Sequence, residues 1–138
     1  VRTIPVPPAH TDGDSYIHFV TSDVLHMGDV YRTTGYPFID LANGGSLNGL
    51  IEALGIAVGL AGPNTKVIPG HGTVATRAQL IAHRDMILDV RTRVAALVAQ
   101  GMNADQVIAA RPTASYDAGM DNPERFLRAM VTELGGSN

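Results

Sequence analysis

The sequence predicts a mixed α/β fold in which short strands come first and amphipathic helices follow. Two runs rich in β-branched and aromatic residues lie near the N-terminus, each bounded by polar turn residues. Later stretches carry apolar residues at helical spacing behind helix-capping residues. In chain order these patterns predict two strands, a helix, a strand and three more helices, all within one domain that covers residues 1–138.

The composition fits one globular domain. Of the 138 residues, 45% are hydrophobic and 17% are charged, which is ordinary for a folded domain. The net charge of −3, without a basic run, excludes an electrostatic footprint for nucleic acid. The absence of cysteine excludes disulfides, thiolate nucleophiles and Cys-ligated zinc, but it leaves the cellular compartment open.

Neither a membrane helix nor a signal sequence is predicted. The longest apolar stretch, residues 50–61, is far shorter than the ~20 residues that span a bilayer. The chain opens on Val1 and no charged segment precedes an apolar block there. We therefore expect a processed or truncated N-terminus and no membrane partner.

The first quarter of the chain is predicted to be extended. Residues 1–8 contain three prolines, which favour an edge segment. Residues 16–20 (YIHFV) and 24–27 (VLHM) are predicted strands. Ser22-Asp23 forms the turn between them, and Gly28-Asp29 is expected to end the second strand.

A buried helix is predicted after these strands, with Ser46 as its N-cap. Its apolar stripe consists of Leu47, Leu50, Ile51, Leu54 and Val58. The sequence GPN at 62–64 ends this helix. Residues 66–68 then form a short strand that leads into the loop PGHG at 69–72.

Three helices are predicted after this loop. Thr76 and Gln79 form a capping box ahead of a long helix that ends at Gly101. A short helix is then predicted to start at Asn103 and to end before Pro112. The last predicted helix has Asn122 at the N-cap, Pro123 at the first helical position and Gly135 just past its end.

Three polar clusters follow the predicted extended segments: HTDGD at 10–14, GD at 28–29 and GHG at 70–72. Loops at strand ends bring together residues that are distant in sequence, and glycine lets the backbone approach a bound ion. Two imidazoles and a carboxylate suit zinc or a similar divalent metal. From the residues alone, hydrogen-bonded loop histidines and ordinary turns remain the simpler explanation.

The pattern as a whole is more specific than its parts. The segments AHTDGD at 9–14, LHMGDV at 25–30 and VIPGHG at 67–72 resemble, in order and spacing, the last three metal motifs of the metallo-β-lactamase superfamily. The resemblance extends to YPFID at 36–40 and to the GGS helix entry at 44–46. It implies the ββα-type C-terminal half of that family's αββα sandwich.

The resemblance implies roles for individual residues. His10 corresponds to the histidine that completes the first metal's ligands, Asp29 to the carboxylate that bridges two metals, and His71 to a ligand of the second. Asp12 and Asp14 either orient His10 as hydrogen-bond acceptors or shape the turn. His18, His26 and His83 are expected to be structural.

The implied function is a binuclear hydrolase of the broad branches that use an aspartate bridge instead of a cysteine ligand. A metal-activated water would attack an ester, thioester, lactone, lactam or phosphoester of a small-molecule substrate. Zinc is the implied metal, with up to two ions in the complete fold, while iron and manganese remain open.

The family's His-x-His-x-Asp-His motif is absent from this sequence, so three ligands would be divided between two metals. We expect the isolated chain to bind metal weakly and to catalyse poorly. The missing N-terminal half, or a second copy of the chain in a homodimer, would complete the sandwich. The alternative is a catalytically incompetent half-domain that acts in assembly or weak metal binding.

Overall fold

The computed structural model describes all 138 residues, and they form a four-stranded sheet with four helices. The predicted mixed α/β class is confirmed. The elements are β1 (Arg2–Pro5), β2 (Ser15–Phe19), β3 (Val24–Arg32), α1 (Leu47–Leu60), β4 (Lys66–His71), α2 (Arg77–Ala99), α3 (Ala104–Ala109) and α4 (Glu124–Glu133). No helix has both the length and the apolarity needed to cross a membrane.

The sheet has the strand order β1-β2-β3-β4. The first two pairings are antiparallel, whereas β3 and β4 run parallel. Parallel neighbours need a crossover connection, and α1 supplies it here. The C-terminal ends of β3 and β4 therefore lie at the same edge of the sheet.

Only one face of the sheet is buried by this chain. Tyr16, Leu25, Met27 and Val67 point to the same side and are fully buried in the core with α1 and α2. Successive side chains alternate between faces, so Ile17, Phe19, Val24 and Ile68 point to the other side, where each stays partly accessible. The outer face thus carries four apolar side chains that no element of the chain covers.

The helix starts follow the predicted capping residues. Ser46 Oγ accepts a hydrogen bond from the Gly49 amide at the start of α1, and Thr76 and Gln79 form the predicted capping box of α2. Glu133 of α4 adds a second cap to α1, accepting from the Leu47 amide at 2.5 Å. A carboxylate at a helix N-terminus satisfies free amides and interacts well with the helix dipole.

The strands β3 and β4 are longer than the sequence predicts, whereas β2 has the predicted length and begins one residue earlier. The segment predicted to be an extended or edge segment contains β1, which forms the edge of the sheet and pairs with β2. The prediction that Gly28-Asp29 ends the second strand is wrong, because β3 continues to Arg32. Gly28 takes φ +56°, and its pairing with β4 shifts register on either side, so the chain bulges there without leaving the sheet. Likewise β4 continues beyond residue 68 through His71.

The last helix begins one residue later than predicted. Pro123 occupies the N-cap of α4, and the Asn122 side chain still accepts a hydrogen bond from the Glu124 amide, at 2.9 Å. The predicted ends of α2 and α4 hold, since Gly101 and Gly135 take φ +85° and +81° just past these helices.

His83 lies on the inner side of α2 and has no hydrogen-bond partner for its Nε2 atom. Its ring contacts Tyr31 edge to face, with the ring centroids 4.9 Å apart. Burial lowers the pKa of His83 from 6.5 to about 4.

This burial predicts an acid-sensitive contribution to stability. The folded chain keeps His83 neutral, while the unfolded chain protonates it near its ordinary pKa of 6.5. The free energy of unfolding should therefore be undiminished above pH 6.5 and should fall by up to about 3 kcal/mol as the pH drops toward 4. His83→Phe keeps an aromatic ring but cannot titrate, so urea unfolding of this variant should show a shallower loss over that interval. If the free energy of unfolding fell equally with pH in the wild type and in His83→Phe, His83 would not be the source of the acid sensitivity.

Candidate metal centre

The structure brings His10, Asp29 and His71 together at the edge where β3 and β4 end. His10 comes from the loop between β1 and β2, Asp29 from β3, and His71 is the last residue of β4. The Nε2 atom of His71 lies 3.1 Å from Asp29 Oδ1, and that of His10 lies 3.7 Å from Asp29 Oδ2. The Asp29 carboxylate thus sits between the two imidazoles.

His10 is held in the orientation that a ligand needs. Its Nδ1 atom lies 2.7 Å from the carbonyl oxygen of Phe38, which accepts the Nδ1 hydrogen in the neutral ring. This tautomer leaves the lone pair of Nε2 free on the side of Asp29. Metal-bound histidines usually donate their second ring nitrogen to a carbonyl or carboxylate in this way.

The loop that carries His10 is organised by Asp14. Its Oδ2 atom accepts from the amides of Ala9, His10 and Thr11 at 3.3, 2.7 and 3.1 Å. Asp14 therefore shapes the turn, which was one of the two roles considered for it, and Phe38 orients the imidazole instead. Asp12 makes no side-chain hydrogen bond, and its Cβ packs beside Gly44.

The position of Asp29 depends on a glycine in the neighbouring strand. A Cβ atom at Gly70 would collide with the Asp29 carboxylate and with the Gly28 backbone. Only glycine lets β4 pass this close, which is what places His71 against Asp29. The Gly-Asp and Gly-His motifs are thus two sides of one backbone contact.

The donor spacing fits divalent ions shared by pairs of side chains. Two ligands at about 2.1 Å from a tetrahedral ion are about 3.4 Å apart. The distances of 3.1 and 3.7 Å bracket this value on the two sides of Asp29. No group of three or more His, Cys, Asp or Glu side chains is arranged to hold a single ion. An ion between Asp29 and either imidazole would therefore have two donors from this chain.

The three side chains share a cavity of about 250 Å³ with Arg32 and Phe38. Sequence reasoning missed both of these residues. Arg32 follows the point at which β3 was expected to end, and Phe38 contributes its backbone carbonyl, which leaves no signal in side-chain chemistry. His10 is 17% exposed, whereas Asp29 and His71 are 46% and 64% exposed, so the cavity opens on the side of His71.

The loop that carries Phe38 is tied to the C-terminal segment. Asp121 accepts from the Tyr36 amide at 2.9 Å, and Asp117 accepts from the Tyr36 hydroxyl at 2.7 Å. This hydroxyl bond holds the pKa of Asp117 below its ordinary range. The Tyr36 ring also stacks on Phe126 of α4.

No protein-family model matches the chain, and no curated protein matches it.

The contrast between Asp14 and Asp12 is directly testable. Asp14→Ala removes an acceptor from three loop amides, and we expect it to lower the free energy of unfolding by about 2–3 kcal/mol. Asp12→Ala, two residues away, should change it by less than about 0.5 kcal/mol. Urea denaturation followed by circular dichroism measures both. Equal effects of the two substitutions would contradict this account of the loop.

Proposed function

We propose that this chain is the ligand-bearing C-terminal half of a binuclear metallo-hydrolase of the metallo-β-lactamase superfamily. The convergence of His10, Asp29 and His71 at one sheet edge carries the proposal, because these residues lie far apart in sequence and each belongs to a separate motif of the resemblance. The orientation of His10 by a backbone carbonyl supports it, since a merely structural histidine does not need a free Nε2 beside a carboxylate.

His10 and Asp29 would hold one ion, and Asp29 and His71 the other. A divalent ion in such a site lowers the pKa of a coordinated water toward ~7 and polarises the oxygen of the scissile bond. The chain's own part is positional. His10 keeps a proton on Nδ1, Asp29 offers an oxygen to each side, and His71 faces the open mouth of the cavity, where a small ester, thioester, lactone, lactam or phosphoester would enter.

Two donors per ion are fewer than the three protein ligands of typical catalytic zinc sites. The remaining ligands would come from an N-terminal half or from a second copy of the chain. The outer face of the sheet supports such a partner, because Ile17, Phe19, Val24 and Ile68 leave an apolar surface that a second layer would cover. We propose the homodimer as the form of the isolated chain.

Metal content is the first test of this proposal. The chain, purified without chelator, should contain zinc, iron or manganese by elemental analysis. His10→Ala and His71→Ala should each weaken zinc affinity in a competition titration by about tenfold or more, because each removes one of two donors. His18→Gln is the matched control, since His18 lies within β2 and away from the cavity.

The outcomes distinguish the hydrolase hypothesis from the alternative of a catalytically incompetent half-domain. Loss of metal in both alanine variants but not in the control supports the hydrolase half. Metal at background in the wild-type chain, with unchanged folding, would instead favour an incompetent half-domain that acts in assembly.

The dimer has its own test. Light scattering at micromolar concentration should give twice the chain mass of 14.5 kDa. Phe19→Lys places a charge on the outer face and should shift the chain to the monomer, while Leu41→Lys, a similarly exposed residue outside the sheet, should not. A monodisperse wild-type monomer would rule the dimer out.

A further inference from the structure

Arg32 forms one wall of the cavity that contains the three candidate ligands. It lies three residues after Asp29 on the same strand, and its side chain is 21% exposed. It is the single cationic side chain among the five residues that line this cavity. A metal centre needs donors, so a fixed cation in its wall calls for a separate explanation.

The guanidinium of Arg32 is incompletely used by the protein. Both of its polar contacts involve Nη2, which lies 3.3 Å from Thr34 Oγ1 and 3.5 Å from Asp121 Oδ2. Charge-assisted bonds are usually about 2.7–2.9 Å long, so these contacts are weak. Nε is buried without a partner, and Nη1 makes no hydrogen bond. Arginine offers five donors, and the two N–H groups of Arg32 Nη1 have no partner within the protein.

A second cation lies beside the same cavity. The Arg125 guanidinium carbon lies 3.6 Å above the ring of Phe38, another cavity-lining residue. Arg125 forms no ion pair in the structure, whereas its neighbour Arg128 pairs with both Asp105 and Glu124. Arg125 does not line this cavity, but its charge above Phe38 adds to that of Arg32 in favouring a negatively charged ligand.

Arg32 also lines a neighbouring groove of about 350 Å³ between β3 and α2. Tyr31, Met86 and Met120 supply apolar surface there. A molecule bound at Arg32 can therefore place a reacting group toward Asp29 and an apolar group in the groove.

We propose that Arg32 is the anion-binding residue of this centre and that the substrate carries an oxyanion, a carboxylate or phosphate, next to an apolar group. This inference deepens the hydrolase function proposed above and rests on it, because only a hydrolase would make the bound anion a substrate. The planar guanidinium suits bidentate binding of an oxyanion, and its position fixes that group beside the ligands. Arg32 binds and positions the substrate and takes no part in proton transfer.

The test measures binding of benzoate and phenyl phosphate to the full chain by NMR titration, with benzyl alcohol as the neutral control. One arm uses the zinc-saturated wild-type chain. The other uses chelator-treated Asp29→Asn, which removes the carboxylate shared by the two proposed ions and, with it, a negative charge inside the cavity. In both arms Arg32→Gln should weaken anion binding by about tenfold or more, and Arg32→Lys should weaken it less.

Arg91→Gln is the matched control. Arg91 also has a buried Nε without a partner and a single 3.3 Å contact through Nη2, yet it lines none of the cavities. The Arg91→Gln variant should bind benzoate and phenyl phosphate with the affinity of the wild-type chain. Zinc affinity should not fall in Arg32→Gln, because removal of a nearby positive charge favours a cation, whereas a purely structural role would weaken zinc and anion together.

Anion affinity that is unchanged in Arg32→Gln, or equal for anions and benzyl alcohol, would overturn the proposal. The metal-free arm distinguishes failure of the anion-binding proposal from failure of the proposed hydrolase function. If the wild-type chain holds no zinc but Asp29→Asn still binds anions through Arg32, the anion site stands and the metal proposal fails.

Discussion

The close passage of β4 against β3 at Gly28 and Gly70 is the constraint on which the rest of this site depends. Parallel pairing brings the C-terminal ends of the two strands to one edge, and the absence of a side chain at residue 70 lets Asp29 reach His71. The bulge at Gly28 turns Asp29 outward while β3 stays in the sheet, so that Val30 and Tyr31 return to the core. A carboxylate is thus held on the backbone of a strand instead of a loop, which would limit the entropy lost if it bound an ion as proposed.

The same edge is supported from the far end of the chain. Phe38 orients His10, and the loop of Phe38 is held by Asp117 and Asp121 through Tyr36. Asp121 also contacts Arg32. The segment after α3 therefore holds the loop of the orienting carbonyl and makes a weak contact with the cation of the cavity. The C-terminal helices act as a brace for the site.

The elements that could be predicted from the sequence are those set by local contacts. Ser46 and the Thr76–Gln79 capping box mark helix starts because their partners lie three residues away. Strand ends depend on partners that are distant in sequence, and for that reason β3 and β4 run further than their glycines suggested. The three ligand candidates were predicted from motif order. The Phe38 carbonyl and the Arg32 guanidinium were not, because only the tertiary fold places them at the cavity.

The exposure of the three candidate ligands indicates the side from which further donors would approach an ion in the proposed site. His10 is nearly enclosed, while Asp29 and His71 are open, so any further donors approach on the side of His71. Ile68 on the outer face precedes His71 by three residues, which corresponds to about 10 Å along a strand. A partner on the outer face would therefore lie about 10 Å along β4 from His71, near the end of the sheet where Asp29 and His71 are exposed. Burial of an apolar sheet face and completion of a ligand set would then be achieved by one interface, with the hydrophobic contact supplying the binding energy and the donors supplying the chemistry.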